Sequence, residues 1–388
     1  MVTKIRSIDI VTSPFGCIPP NAIGAVEKRW KSCGDFYARN GIKVTFVCKR
    51  PDGHFDNNCV YIDGYGRTGC WFFDLLLDFI YSLKALIKAP KADAIVLNTI
   101  WTPILLPFFK RKFRVSLYNV ARFPKHQFWL YKNVDVLSCV SVAVYKSLIH
   151  QTPSAKKHAC VVPNFIDTHI FHSNKVRSLS DSPCIVYSGR VHTEKGLDLL
   201  VNAINLIQKQ QHVSLKIIGT WDIKNGGSGR EYKDKLDSLS IGWNIDWLGP
   251  IYSPKRLAEE IDKCDIFCYP SVAEKGETFG VAPLEAMGLG LPVVVSDLEC
   301  FRDFISNGKN GLVFSHKQKD AFVALAACIT KLLGNADVYN EFSKNAMSTA
   351  QDFSVAAIAE EYLCLLNNLL LFRSSGFDEK EMKVKEIK

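Results

Sequence analysis

Two α/β domains, each built on a parallel sheet, are the architecture that this 388-residue sequence predicts. Three observations carry the reading. Short β-branched runs alternate with amphipathic helical runs along both halves, the pattern of repeated βαβ units. The length exceeds what a single hydrophobic core ordinarily fills. An apolar fraction of 47% beside 22% charged residues describes a globular chain, not a disordered one.

The first half opens on a strand over 5–11. Further strands are predicted at 43–48, 94–98, 114–118 and 136–140, each bounded by polar residues or Gly. Between them, residues 25–40 form an amphipathic helix stopped by Gly41, and 71–88 a longer one stopped by Pro90. A short helix over 144–150 leads out of this half. In the second half, strands fall at 184–187, 214–218, 245–248, 266–269 and 292–296, with helices at 196–210, 231–239, 254–263 and 283–289. Crossovers of this kind force parallel pairing with helices on both faces. The blocks read as two Rossmann-like domains facing each other, residues 1–165 and 166–354, with the Asn-, His- and Ser-rich stretch 163–179 as the link. Residues 355–372 form a strongly apolar crossover helix that packs on both domains. The Lys/Glu tail 373–388 is expected to be loosely ordered.

Charge is unevenly spread. Residues 1–160 carry 23 Lys/Arg against 10 Asp/Glu and the remainder 25 against 29, for +9 overall. A basic first half implies an anionic partner, either nucleic acid or an acidic membrane surface. The stretch 104–114 sets Leu, Pro and Phe beside Lys110, Arg111, Lys112 and Arg114, which suits peripheral membrane contact; a helix with one core face and one solvated face is the ordinary alternative. Nucleic acid is not expected, because this half has no recognisable reading motif and its cations are scattered over many helices. The 13 cysteines lie mostly in apolar runs without a C-x-x-C pair, and Cys264 with Cys268 has no histidine nearby. No metal site is therefore expected, and reduced thiols in a cytosolic protein are. The N-terminus lacks a signal-peptide build, and no apolar run is expected to reach bilayer-spanning length. The expected location is the cytoplasm, either free or peripheral on the inner face of a membrane.

Chemistry concentrates in the second half. Glu277 and Glu285 stand eight residues apart, the first on a loop and the second in a helix predicted to begin at Pro283. Glu285 then falls two residues inside that helix, where the dipole favours negative charge, and the N–H groups around Gly280, Val281 and Ala282 have no intrahelical partner. Such an end accepts phosphate. Arg190 and Lys195 lie in a segment that follows one strand and opens a helix, at the carboxyl end where open α/β sheets bind ligands. Paired cations there suit a diphosphate, a surface salt bridge to Glu194 being the plain alternative. A carboxylate such as Glu285 is the natural partner of a ribose diol. No G-x-G-x-x-G follows a strand, so a nicotinamide site lacks its fingerprint. Gly226-Gly227-Ser228-Gly229 reads as a surface loop.

The run Glu277-Thr278-Phe279-Gly280 through Glu285-Ala286-Met287, followed by Gly290-Leu291-Pro292-Val293-Val294, resembles the hallmark of retaining GT-B glycosyltransferases of the large sucrose synthase and mannosyltransferase group. The resemblance extends over almost the whole chain. Gly189-Arg190 with Glu194-Lys195-Gly196 is similar to that group's phosphate segment. Val162–Asp167 is similar to its interdomain entry, Asn307–Val313 to its turn after the sheet, Ile23–Glu27 to its N-terminal glycine loop, and Phe353-Ser354 to the opening of its last helix. It implies a GT-B fold and transfer of a sugar from a nucleotide-diphosphate-sugar donor to a glycan or lipid-linked acceptor, with retention and without a metal or other cofactor. On this resemblance Glu285 holds the ribose, Glu277 contacts the transferred sugar, and Arg190 and Lys195 neutralise the leaving diphosphate. Amides of Phe279, Gly280 and Val281 line the sugar, and Gly24 lets backbone approach the phosphates. Members commonly carry a histidine after the strand at 115–118. Here Asn119-Val120-Ala121-Arg122 follow and the next histidine is His126, so Asn119 or Arg122 takes the acceptor-side role, or that side works differently. The aromatic-basic stretch 123–129 is a further candidate lining. Two alternatives stay open: a nucleotide-sugar-processing enzyme of the same architecture such as an epimerase, and a basic nucleic-acid-binding protein.

Overall fold

A computed structural model describes residues 4–18, 25–51, 53, 55–66 and 68–375. The chain divides at Pro163 and again at Ser354. Among the described residues, those up to and including Pro163 and those from Val355 to Ser375 form one compact unit, and Asn164–Ser354 forms the other.

The first unit carries seven parallel strands: β1 (Ser7–Val11), β2 (Lys43–Lys49), β3 (Cys59–Ile62), β4 (Ala92–Leu97), β5 (Phe113–Val120), β6 (Val136–Cys139) and β7 (Ala159–Val161). Their order is β3-β2-β1-β4-β5-β6-β7. Its helices are α1 (Ala25–Arg39), α2 (Trp71–Lys88), the short α3 (Thr102–Leu105) and α4 (Val142–Gln151), whose N-terminus is capped by Ser141. Central strands read as continuous apolar runs because helices cover both faces, and Ile8, Ile10, Val11, Ile95 and Leu97 are fully buried.

The second unit repeats the plan with α5 (Leu197–Ile207), α6 (Arg230–Leu239), α7 (Pro254–Asp262), α8 (Val281–Gly288), α9 (Ala321–Leu333) and α10 (Ala336–Asp352) around six parallel strands. These are β8 (Cys184–Ser188), β9 (Ser214–Ile218), β10 (Ile245–Gly249), β11 (Ile266–Tyr269), β12 (Val293–Ser296) and β13 (Leu312–Phe314), in the order β10-β9-β8-β11-β12-β13. The stretch expected as a link is tied into this unit. Ile166 N–H donates to Phe353 (2.9 Å), and Arg177 donates to the carbonyls of Leu289 (2.8 Å) and Cys264 (2.9 Å).

Several expectations need correction. β3, β7 and β13 add three strands, all at sheet edges, and α9 and α10 add two helices. The stretch 104–114 is not one helix: α3 runs into a 3₁₀ turn, Leu106–Phe109, and then into β5. The final helix, α11 (Val355–Ser375), belongs to the first unit. Within it, Val355–Arg373 does reach bilayer-spanning length, with mean hydropathy 1.5. Its stripe of Ile358, Ala359, Tyr362, Leu366, Leu369 and Leu370 is buried, while 33% of the apolar stretch as a whole is.

Candidate functional site

In the second sheet, β8 and β11 are sequence-distant neighbours from which the strand order runs outward both ways. That reversal opens a crevice beyond their carboxyl ends. The segments after Ser188 and after Tyr269 meet there. Lys195 Nζ lies 2.6 Å from Glu277 Oε2, with the two side chains only 6% and 12% exposed. The same oxygen accepts from Tyr269 OH at 3.1 Å and Ser271 Oγ at 3.4 Å. Glu277 Oε1 takes part in none of these bonds. Tyr269 stacks on Tyr187 with centroids 5.5 Å apart, and the Lys195 ammonium sits 5.5 Å from the Tyr269 ring centre. Burial, then the Glu277 carboxylate, holds the Tyr269 phenol well above its ordinary pKa, so it remains a donor. The approach of the two segments depends on Gly196: its φ is +65°, and a Cβ there would lie 2.2 Å from the Pro270 carbonyl oxygen.

Arg190 is half exposed and pairs with Glu194 at 2.9 Å, the plain alternative foreseen for it. Glu194 also stands 4.0 Å from Lys195 Nζ, so the two cations share one carboxylate and Lys195 has a second in Glu277. The diphosphate-binding charge inferred from sequence is thus neutralised within the unit. The loop 226–229 was expected to be surface only, yet it closes on this segment. Arg190 Nη1 donates to the Gly226 carbonyl (2.8 Å), Thr193 N–H to Ser228 Oγ (3.1 Å), and Ser228 N–H to the Val191 carbonyl (3.0 Å). Its glycine density was the available signal; what it packs against was not.

α8 begins at Val281, two residues earlier than predicted. Gly280 precedes it in the left-handed region (φ +87°), where a Cβ would lie 2.4 Å from the Phe301 ring, and no side chain caps the end. Pro283 is accommodated as the third helical residue because first-turn N–H groups have no intrahelical acceptor. Glu285 is therefore the fifth residue, past the turn where the dipole acts most strongly. Val281, Ala282 and Glu285 form the partly exposed face, while Pro283, Leu284, Ala286 and Met287 are buried. Phe279 is core, packed on Phe304 and Phe353 with centroids 5.1 and 6.1 Å away.

In the first unit, Gly24 lies outside the described residues. Asn119 is buried, its Nδ2 donating to Asn98 Oδ1 (2.9 Å) and its Oδ1 accepting from Arg29 (3.4 Å). Arg29 also donates to the Pro163 carbonyl (3.2 Å) and to Tyr362 of α11. The Asn119 amide thus serves a framework that fastens α11 to α1 and β5. Arg122 is exposed on the loop after β5, and Trp129 is 65% exposed while Phe128 is buried. Among the described residues, no three His, Cys, Asp or Glu side chains gather as a metal set.

Two all-parallel sheets of doubly wound order place the chain in the GT-B class of α/β proteins. Residues 170–349 match the family described as glycosyl transferases group 1, and residues 26–170 match glycosyltransferase family 4. The two matches together run over residues 26–349, each over less than half of the chain, and both are to glycosyltransferase families. Among similar proteins, a D-inositol 3-phosphate glycosyltransferase of Nocardia farcinica is 30% identical over 189 residues, 47% of this chain and 39% of that protein. A phosphatidyl-myo-inositol mannosyltransferase of Mycobacterium tuberculosis is 29% identical over 211 residues, 51% of this chain and 52% of that protein. The chain spans about half the length, or less, of these curated relatives. Sucrose-phosphate synthase from Thermosynechococcus elongatus shares the fold with TM-score 0.73 and 18% identity, over 94% of this chain and 99% of that one. Anabaena HepE in complex with UDP-glucose does so with TM-score 0.70 and 18% identity, over 93% and 99%.

Proposed function

We propose that this protein is a retaining glycosyltransferase that moves a sugar from a nucleotide-diphosphate-sugar donor to a glycan or lipid-linked acceptor, without a metal. The observation that carries the reading is the buried Lys195–Glu277 pair at the sheet reversal of the second unit, in the same chain segment as the uncapped start of α8. In this scheme Lys195 and Arg190 turn to the diphosphate, a partner of higher charge than either carboxylate. Phosphate oxygens also take the N–H groups at the start of α8. Glu277, anchored through Oε2 by Tyr269 and Ser271, offers Oε1 to a sugar hydroxyl, and Glu285 takes the ribose diol. Stabilising the leaving phosphate is the main electrostatic contribution. Relatives that act on inositol phosphate and phosphatidyl-inositol support the sugar-transfer reading.

The test is a thermal-shift panel of UDP-, GDP- and dTDP-sugars. A true donor at a hundredfold over its Kd adds roughly 2.7 kcal/mol, or about 5–11 °C for a unit of this size. If no nucleotide sugar moves the transition, the donor-site reading is wrong. Release of free nucleotide diphosphate only when acceptor is present separates transfer from epimerisation.

For the acceptor side, the reading is peripheral contact with an anionic membrane from the cytoplasm. It is supported by α2, which exposes Trp71, Phe72, Phe73, Leu76, Ile80 and Ile87 while burying Asp78, Tyr81, Ser82, Ala85 and Leu86. Lys112 donates to the carbonyls of Leu86 (3.0 Å), Ile87 (2.7 Å) and Ala89 (2.8 Å) at the end of α2, and its chain neighbours Lys110 and Arg111 are exposed, as are Lys84 and Lys88 of α2. An apolar aromatic stripe with a basic end fits a bilayer interface carrying acidic headgroups.

A further inference from the structure

At the amino ends of β8 and β11, opposite the site just described, two cysteines distant in sequence come together. Cys184 Sγ and Cys264 Sγ are 3.2 Å apart. The backbone fixes their approach, since Asp265 N–H donates to the Cys184 carbonyl (2.8 Å) and Cys184 N–H to the Asp265 carboxylate (2.7 Å). Cys184 is partly exposed and Cys264 is buried, so a reagent meets one thiol first and the second waits behind it.

The groups around Cys184 are Cys264 and Asp265 before β11, and Ser214 and Lys216 on β9, Lys216 itself lying 3.6 Å from Glu260 of α7. The bond from Cys264, with help from Ser214 and Lys216, brings the Cys184 thiol down to about 7, while the same bond and burial push Cys264 up. Burial pushes up the thiols of Cys33, Cys139, Cys160, Cys268 and Cys300, which suits inert core residues. Cys184 differs from them in having both access and a neighbouring thiol.

We propose that Cys184 and Cys264 form a thiol–disulfide exchange site that takes small-molecule disulfides and closes to an internal disulfide. The Cys184 thiolate attacks one sulfur of the small disulfide, whose S–S bond breaks and releases one thiolate that takes a proton from water. Cys264 then attacks Cys184 Sγ, forming the internal bond and expelling the second small thiol, which takes the Cys264 proton. The protein loses two electrons and the small disulfide gains them. Closure needs the sulfurs to move from 3.2 Å to about 2.05 Å, roughly a rotamer adjustment. The new bond would clamp β8 to the start of β11 at the end of the sheet opposite Lys195 and Glu277.

The experiment uses the folded full-length protein with oxidised glutathione as the probe, followed by digestion and mass mapping without reductant. The expected result is a linked peptide pair containing Cys184 and Cys264, and in Cys264→Ser a glutathione adduct that persists on Cys184. Iodoacetamide labelling of wild-type protein should follow a pH profile for Cys184 with its midpoint near 7. The proposal is overturned if Cys70 and Cys364 accept glutathione while Cys184 and Cys264 stay free, or if Cys184 labelling shows no inflection near pH 7. Both measurements are made on wild-type protein, so neither depends on a variant folding.

Discussion

Replacing Lys195 with methionine tests the centre of the site. The side chain keeps its apolar stem but loses the ammonium that lies 2.6 Å from Glu277. Glu277 is then left 12% exposed, with only Tyr269 and Ser271 as donors at 3.1 and 3.4 Å. Breaking a buried pair from one side costs about 3–5 kcal/mol, because the remaining charge is uncompensated. For a unit of this size that corresponds to a fall in Tm of roughly 6–20 °C. Glu277→Gln should cost less, since the amide oxygen still accepts from Lys195 and Lys195 retains Glu194 at 4.0 Å. Lys195→Met combined with Glu277→Leu should recover much of the loss, because neither charge is then stranded. The assay is a thermal double-mutant cycle of Lys195→Met, Glu277→Leu and the two combined, read by calorimetry. Single-variant losses that simply add in the double variant, or a Lys195→Met loss below about 0.5 kcal/mol, as expected of a surface pair, would refute the reasoning.

Glu285→Ala should remove two charge-assisted bonds to ribose, roughly 3 kcal/mol or a hundredfold in nucleotide affinity; unchanged affinity by isothermal titration would falsify that placement. Asp9 sits mid-strand in β1, 2% exposed, and burial pushes its carboxyl from 3.8 to about 7 despite Thr45, Lys43 and Lys112. The folded state keeps a proton that the unfolded chain gives up. Stability from this group is therefore full below pH ~4 and declines by up to about 1.4 kcal/mol per unit until pH ~7. Asp9→Asn should flatten that slope and stabilise the protein at pH 8, and urea melts at pH 4, 6 and 8 with parallel trends for both proteins count against it. Gly280→Ala places a Cβ 2.4 Å from the Phe301 ring at φ +87°, at an expected cost of about 1–3 kcal/mol; an unshifted melt contradicts the positive φ. Wild-type protein should float with acidic vesicles in a density gradient and the triple variant Trp71→Ser/Phe72→Ser/Phe73→Ser should not, while equal flotation of both rules out the α2 face.

The strands that local pattern missed share one property. β3, β7 and β13 are edge strands of three or four residues, covered on one side only by a neighbour, so they lack the unbroken β-branched run of β4 or β12. The start of α8 was misplaced because Pro283 is a strong first-position signal, whereas Gly280 at positive φ depends on its packing against Phe301.

By itself the sequence determined the βαβ rhythm of both halves, the resemblance to glycosyltransferases, and the residue types of the site, because periodicity and short motifs are local properties of the chain. Tertiary structure decided the partners. Lys195 meets a carboxylate 82 residues away, Arg190 meets Glu194 and the Gly226 carbonyl, and Asn119 is taken up by Arg29 and Asn98. The physical reason is that ion pairing and hydrogen bonding depend on ångström-scale separation and local burial. Both are set by which loops the strand order brings to the same end of a sheet, and no spacing along the chain encodes that.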